Sequence, residues 1–171
     1  MKLLFLRHGV AVNRSNWRGT DDQRPLTKAG RDGVIELAGA LAEVELDIEL
    51  VLSSTHLRAR QTAEIVAKRL NLNHCLELEP LLSRDFTSRV LDDVLAKRDI
   101  RTVLLVGHEP DFSRTIAELT GGVRVRLKKA GLARVDIDRG STESGHLVWL
   151  IPPKWILTPK VRSLSSATRS P

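Results

Sequence analysis

The chain has 171 residues, 42% hydrophobic and 28% charged, proportions that fit one soluble domain able to bury a core without staples. Its 27 Lys and Arg outnumber 21 Asp and Glu, a formal charge of +6, and that balance alone points to an anionic partner, nucleic acid included. The lone cysteine, Cys75, excludes an internal disulfide, no Cys/His spacing suits zinc, and no apolar run nears the roughly 20 residues of a membrane span.

Leu3 to Leu6 reads as a short buried strand of the parallel type. Arg7 and His8 end that apolar run well before the roughly 7–15 residues of a signal-peptide core, so a cytoplasmic protein is expected. After a polar loop, Arg31 to Leu46 reads as a helix, with Val34, Leu37, Ala38 and Leu41 on one face. Ile48 to Leu52 is a second strand and Leu57 to Leu70 a second helix, with Ala59, Ala63, Val66 and Leu70 on one side. His74 to Leu78 reads as a short strand and Ser88 to Lys97 as a helix. Thr102 to Val106 is the clearest strand; Asp111 to Leu119 is helical, with Gly121 beyond it to end the helix. Leu132 to Ile137 and His146 to Ile151 read as a hairpin with a long turn, and residues from Thr158 onward as a disordered basic tail.

This alternation predicts a three-layer α/β/α sandwich around a mostly parallel sheet, closed by an antiparallel hairpin or edge strand. The expected organisation is a single catalytic domain over residues 1–157 and a tail over 158–171. In such sheets ligands bind beyond the carboxyl ends of the strands. Three strands here end in cationic or hydrogen-bonding residues: Arg7-His8-Gly9, the run from Ser53 to Thr62, and Gly107-His108-Glu109-Pro110. If those ends are neighbours, two arginines and two histidines converge with helix N-termini on an anion trap, and guanidinium groups suit phosphate best. Gly9 allows a sharp turn and a close approach of backbone to ligand. His8 can be a general base, a metal ligand or a nucleophile. Flanking arginines oppose a metal cation, whereas a neutral imidazole attacking phosphorus, with arginines absorbing the charge, is coherent chemistry.

Arg7-His8-Gly9 matches the RHG signature of the histidine phosphatase superfamily. Ser54-Thr55-His56-Leu57-Arg58-Ala59-Arg60-Gln61-Thr62-Ala63 resembles its SPLxRAxQTA motif, with Thr55 in place of the proline. Val106-Gly107-His108-Glu109 resembles its later GH element. Short length, Arg24 to Gly30 and the Gly107 to Pro110 run make the chain most similar to the small SixA-type phosphohistidine phosphatases, a resemblance covering residues 1–155. It implies His8 as a nucleophile that is transiently phosphorylated, Arg7 and Arg58 as clamps on the phosphoryl oxygens, and His108 as a further hydrogen-bond donor. It implies no metal and no organic cofactor. Gly9, Glu109 and Trp17 are expected to line the substrate site, Trp17 at its mouth.

Two departures bear on substrate. Larger phosphoglycerate mutase-like members carry an Asn where this chain has Arg14, and they use a carboxylic acid to protonate the leaving oxygen. Here the candidate acids are Glu79, Asp85 and Asp21, or Asp22 beside it, each of which also reads as an ordinary solvated charge. A sugar alkoxide needs such an acid, whereas a protonated imidazole leaves readily from phosphorus, so a phosphohistidine protein is the expected substrate, for instance a phosphotransfer domain. The rivals are a small-molecule phosphomonoesterase or mutase-like enzyme, and a non-catalytic phosphate-binding module. A nucleic-acid binder lacks support, because aromatic residues make up only 4% and no groove-binding motif is present. No membrane partner is expected. His56 reads as a surface residue at a helix start, Lys128 to Gly131 as a solvated turn, and Cys75 as a buried small apolar residue.

Overall fold

The computed structural model describes residues 1–44, 46–96, 98–138 and 145–156. Strands β1 (Lys2–Arg7), β2 (Leu50–Ser53), β3 (Leu76–Leu78), β4 (Thr102–Gly107), β5 (Leu132–Asp136) and β6 (His146–Ile151) form one sheet in the order β3-β2-β4-β1-β5-β6. The first four run parallel; β5 is antiparallel to β1, and β6 to β5, at one edge. Helices α1 (Lys28–Leu41), α2 (Leu57–Arg69), α3 (Ser88–Leu95), α4 (Asp111–Leu119) and α5 (Pro153–Ile156), with four short 3-10 helices, complete the described elements.

The sheet alternates its side chains between two cores. Leu4, Leu6, Val51, Leu104 and Val106 face α1 and α2, meeting Val34, Leu37, Ala59, Ala63 and Val66. Leu3, Phe5, Leu52, Val103 and Leu105 face the other way, meeting Leu91 of α3 and Phe112 and Ile116 of α4. Right-handed crossovers explain the division. The chain moves one way along the sheet from β1 to β2 to β3, so α1 and α2 share a face. It then returns to β4, which puts α3 on the opposite face. Strand β4 lies between β1 and β2 and is buried along its whole length, which accounts for its uninterrupted apolar run.

Helix α1 begins three residues before the expected Arg31, because Thr27 caps it by accepting from the Gly30 N–H at 2.9 Å. Gly30 is there for closeness: a Cβ would stand 1.9 Å from the Val10 carbonyl oxygen. The same helix ends at Leu41, short of the expected Leu46. Residues 139–144, within the expected hairpin turn, and the expected tail from Thr158 lie outside the described residues. No helix among the described residues is long and apolar enough to cross a membrane.

Candidate active site

The carboxyl ends of β1, β4 and β2 lie side by side: Arg7 pairs with Gly107, and the Ser54 N–H donates to the Val106 carbonyl at 2.9 Å. This places His8, His108 and the first turn of α2 around one crevice. His8 is held on every side by backbone. Its N–H donates to Gly107 O at 3.1 Å, and its carbonyl, with that of Arg7, accepts from the Ala130 N–H at 3.1 Å. Gly9 does not adopt a left-handed turn as its type would permit. Its value is packing: a Cβ would meet Val34 Cγ2 at 2.6 Å, so glycine lets α1 close against this loop. Its N–H donates to Thr62 Oγ1 at 3.1 Å, and that hydroxyl donates to Arg58 O at 2.7 Å, tying the β1 end to α2.

The rings of His8 and His108 are 5.1 Å apart between centroids. His8 Nδ1 is 2.7 Å from Gly9 O, and a carbonyl only accepts, so Nδ1 carries the proton. Burial, reinforced by the charges of Arg58, Arg7 and Lys129, pushes the His8 pKa down to about 3 despite the Gly9 bond. The ring is therefore neutral at physiological pH, with a bare lone pair on Nε2. Burial likewise pushes His108 down to about 2, with His8 and Arg58 adding to it. Its Nε2 is 2.8 Å from Ser54 Oγ.

Arg58 is 6% exposed at the start of α2. Its Nη1 donates to the Asp21 carbonyl at 2.7 Å, and its Nη2 lies 3.1 Å from both Asp21 Oδ2 and His56 Nδ1. Because the guanidinium only donates, His56 Nδ1 accepts and its proton sits on Nε2. Arg7 Nη1 donates to Leu127 O at 2.8 Å. Three buried nitrogens have no hydrogen-bond partner among the described residues: Arg7 Nε, Arg58 Nε and His108 Nδ1. The two arginine Nε–H groups are donors and costly to leave unpaired there, and all three nitrogens belong to side chains grouped with His8.

The remaining expected residues fall elsewhere. Glu109 braces the loop that receives Arg7: its Oε1 accepts from Ser113 Oγ at 2.7 Å and from the Leu127 N–H at 3.0 Å. Trp17 is half-buried within its own loop, donating from Nε1 to Thr20 O at 2.9 Å. Glu79 caps a short turn by accepting from the Leu81 N–H at 3.0 Å, and Asp85 is exposed. Asp21 meets Arg14, Arg24 and Arg58 at 3.3, 3.0 and 3.1 Å. Partial burial raises its pKa, but the Arg24 hydrogen bond and the Arg58 charge outweigh this and hold it below the usual carboxylate range. Asp21 is thus an ionised partner of Arg58, a poor proton donor.

Three features escape a reading by residue type. His56, expected at the surface, is half-buried, with its ring 4.8 Å from that of His108. Ser54, just past the end of β2, and Ser83, in the segment after β3, join the site, their hydroxyls 3.0 Å apart. The replacement of proline by Thr55 has a structural counterpart, because the Thr55 N–H donates to Ser83 Oγ at 3.1 Å, a bond proline cannot make. The expected solvated turn before β5 is built into the site floor through Ala130, although Lys128 and Lys129 themselves are exposed. Cys75 is half-buried rather than buried. No group of three or more His, Cys, Asp and Glu among the described residues is arranged to hold a metal.

Comparison with known proteins agrees with this geometry. The family model for the histidine phosphatase superfamily, branch 1, matches residues 3–83. An uncharacterized protein of Picosynechococcus sp. is 34% identical over 166 residues, spanning 92% of this chain and 99% of that one. Phosphohistidine phosphatase SixA of Escherichia coli K12 is 31% identical over 158 residues, spanning 90% of this chain and 94% of its own. A solved structure of the protein histidine phosphatase SixA complexed with tungstate superposes with a TM-score of 0.78 at 30% identity, covering 91% of this chain and 99% of that one.

Proposed function

The chain belongs to branch 1 of the histidine phosphatase superfamily, and from that premise we propose that it dephosphorylates phosphohistidine in a protein by way of its own His8. The observation that carries this reading is the protonation state of His8. With Nδ1–H tied to Gly9 O and the ring neutral, Nε2 presents its lone pair at a site where the buried Nε–H groups of Arg7 and Arg58 and the Nδ1 of His108 have no partner among the described residues. That set fits a phosphoryl group whose equatorial oxygens need donors. The SixA relative was solved with tungstate, a tetrahedral oxyanion.

In the first step Nε2 of His8 attacks phosphorus, and the P–N bond to the substrate imidazole breaks. That imidazole leaves as a neutral group because its other nitrogen carries a proton. Arg7 and Arg58 hold the oxygens, Arg58 exchanging the Asp21 carboxylate for a phosphoryl oxygen. In the second step water attacks phosphorus, releasing inorganic phosphate and restoring neutral His8. The substrate preference follows from the acids. Asp21 is ionised, Glu79 is engaged in a cap and Asp85 is out in solvent. An alkoxide leaving group would find no proton, whereas an imidazole needs none from the protein.

The test is a panel holding one phosphohistidine protein and several sugar and serine phosphates, run with wild type and His8→Ala. The expected result is preferential turnover of phosphohistidine, loss with His8→Ala, and acid-labile, base-stable label on His8 after rapid quenching. Faster turnover of a phosphate monoester refutes the substrate class. Absence of label on His8 during turnover refutes the mechanism.

A further inference from the structure

Between α4 and β5 the chain runs through Val123-Arg124-Val125-Arg126-Leu127-Lys128-Lys129, outside any helix or strand over residues 123–128. Its side chains alternate as in a strand. Leu127 is fully buried and Val125 packs on the same core, while Arg124, Arg126, Lys128 and Lys129 are exposed. This alternation leaves Arg124, Arg126 and Lys128, followed by Lys129, as an outward row of cations along one stretch of chain. None of the four makes an ion pair among the described residues. By contrast Arg14, Arg24 and Arg58 each contact a carboxylate, that of Asp21.

The row is fixed to the reaction centre. Leu127, in its middle, accepts from Arg7 through its carbonyl and donates to Glu109 through its N–H. Arg126 and Lys129 are close enough to act electrostatically on Arg7 and His8. A phosphoryl dianion is already matched by Arg7 and Arg58. The row is therefore surplus to the phosphoryl group and lies where the remainder of a large substrate would rest.

We propose that residues 124–129 are a docking strip for an acidic protein surface beside the substrate's phosphohistidine. This rests on the phosphohistidine reading above and adds how the protein partner is chosen. Like charges held in a row repel one another, and carboxylates opposite them relieve that repulsion while steering the encounter. Arg124 and Lys128 are the members that have no part in the machinery at His8, so they carry the test.

The experiment compares wild type with an R124E/K128E variant on two substrates: phosphoramidate, and a phosphohistidine-bearing domain rich in Asp and Glu around its histidine. We expect kcat/KM on the acidic domain to fall about 10- to 100-fold in the variant, within the range of electrostatic steering. Turnover of phosphoramidate stays within about two-fold, which also reports an intact fold. Raising salt from 0.05 to 0.5 M weakens the wild type on the acidic domain and not on phosphoramidate. A domain whose flanking carboxylates are changed to Lys recovers activity with the variant. Unchanged kcat/KM on the acidic domain overturns the docking strip and leaves the phosphatase reading intact. Equal losses on both substrates also overturn it, because the charges then act only through the site's field. Faster turnover of a nucleoside triphosphate, equally sensitive to the reversal, assigns the row to a small polyanion and overturns the protein partner. No turnover of either phosphoramidate or the acidic domain refutes the phosphohistidine reading itself, and the strip with it.

Discussion

Thr62 joins two elements of the site through one hydroxyl, and changing it separates hydroxyl from methyl. In Thr62→Val the side-chain shape is kept, but the Gly9 N–H, now 3.1 Å from Oγ1, loses its acceptor. Thr62 is fully buried and Gly9 is buried too, so water does not replace the bond. A buried donor left unpaired costs about 1–3 kcal/mol. The new methyl also sits at 3.1 Å from that nitrogen, inside the ~3.5 Å of comfortable carbon contact, and pushes the loop. The Arg58 carbonyl is not stranded, since it retains its ordinary place in the α2 hydrogen-bond ladder. Thr62→Ser keeps the hydroxyl and loses one buried methyl, about 1 kcal/mol. At roughly 2–4 °C per kcal/mol for a chain of this size, Thr62→Val lowers Tm by about 2–12 °C and Thr62→Ser by about 2–4 °C. Calorimetry or urea unfolding measures both. Because Gly9 follows His8, the valine variant also loses more activity than the serine variant. A serine variant destabilised as much as the valine variant refutes the bridging role.

Stability depends on pH through the two buried histidines. His8 and His108 have folded pKa values near 3 and 2, against about 6.5 when unfolded, burial being the main cause. Between those values the unfolded chain binds protons that the folded chain refuses, so stability is complete above about pH 6.5 and falls as pH drops toward 3. Each histidine contributes a slope of about 1.4 kcal/mol per pH unit, and urea midpoints at pH 7.5, 5.5 and 4.5 for wild type and His108→Asn test it through a shallower slope in the variant. His56→Leu removes an acceptor from a charged donor and weakens inhibition by inorganic phosphate about 10-fold, while His56→Asn, which keeps an oxygen near Nδ1, loses less; equal effects refute the Arg58 contact as the cause. Two glycines of α1 respond in opposite directions. Gly30→Ala drives a Cβ into the Val10 carbonyl and costs more than about 3 kcal/mol, whereas Gly39→Ala, with nothing within 4 Å, gains about 1 kcal/mol of helix propensity; Tm measures both.

The elements most legible in the sequence were those whose surroundings are simple. β4 is buried on both faces, and its apolar run has no other reading. α4 matches its expected bounds, since Phe112, Ile116 and Leu119 all face one core. The start of α1 was hidden because Gly30 argues against a helix locally, while the need for it arises from Val10, twenty residues earlier in the chain. His8, Arg7, Arg58 and His108 were legible as a group because three strand ends carry them. What joins them was not. Asp21 reaches Arg58 from a distant loop, and the Thr55 to Ser83 contact spans 28 residues. Such pairings depend on how loops return across the top of the sheet, which no local pattern records.

The pairing of β1 with β4 also sets a condition on synthesis. Lys2 lies opposite Thr102 and Arg7 opposite Gly107, so the first strand made has its central neighbour only after some hundred further residues. A nascent chain emerging from the ribosome carries His8 long before His108 or the Leu127 carbonyl that accepts from Arg7 exists. Loop closure over that span is entropically slow. The site therefore assembles only when the far half of the polypeptide has arrived, and a chain ending at residue 101 lacks both the β4 partner of β1 and the carbonyl that holds Arg7.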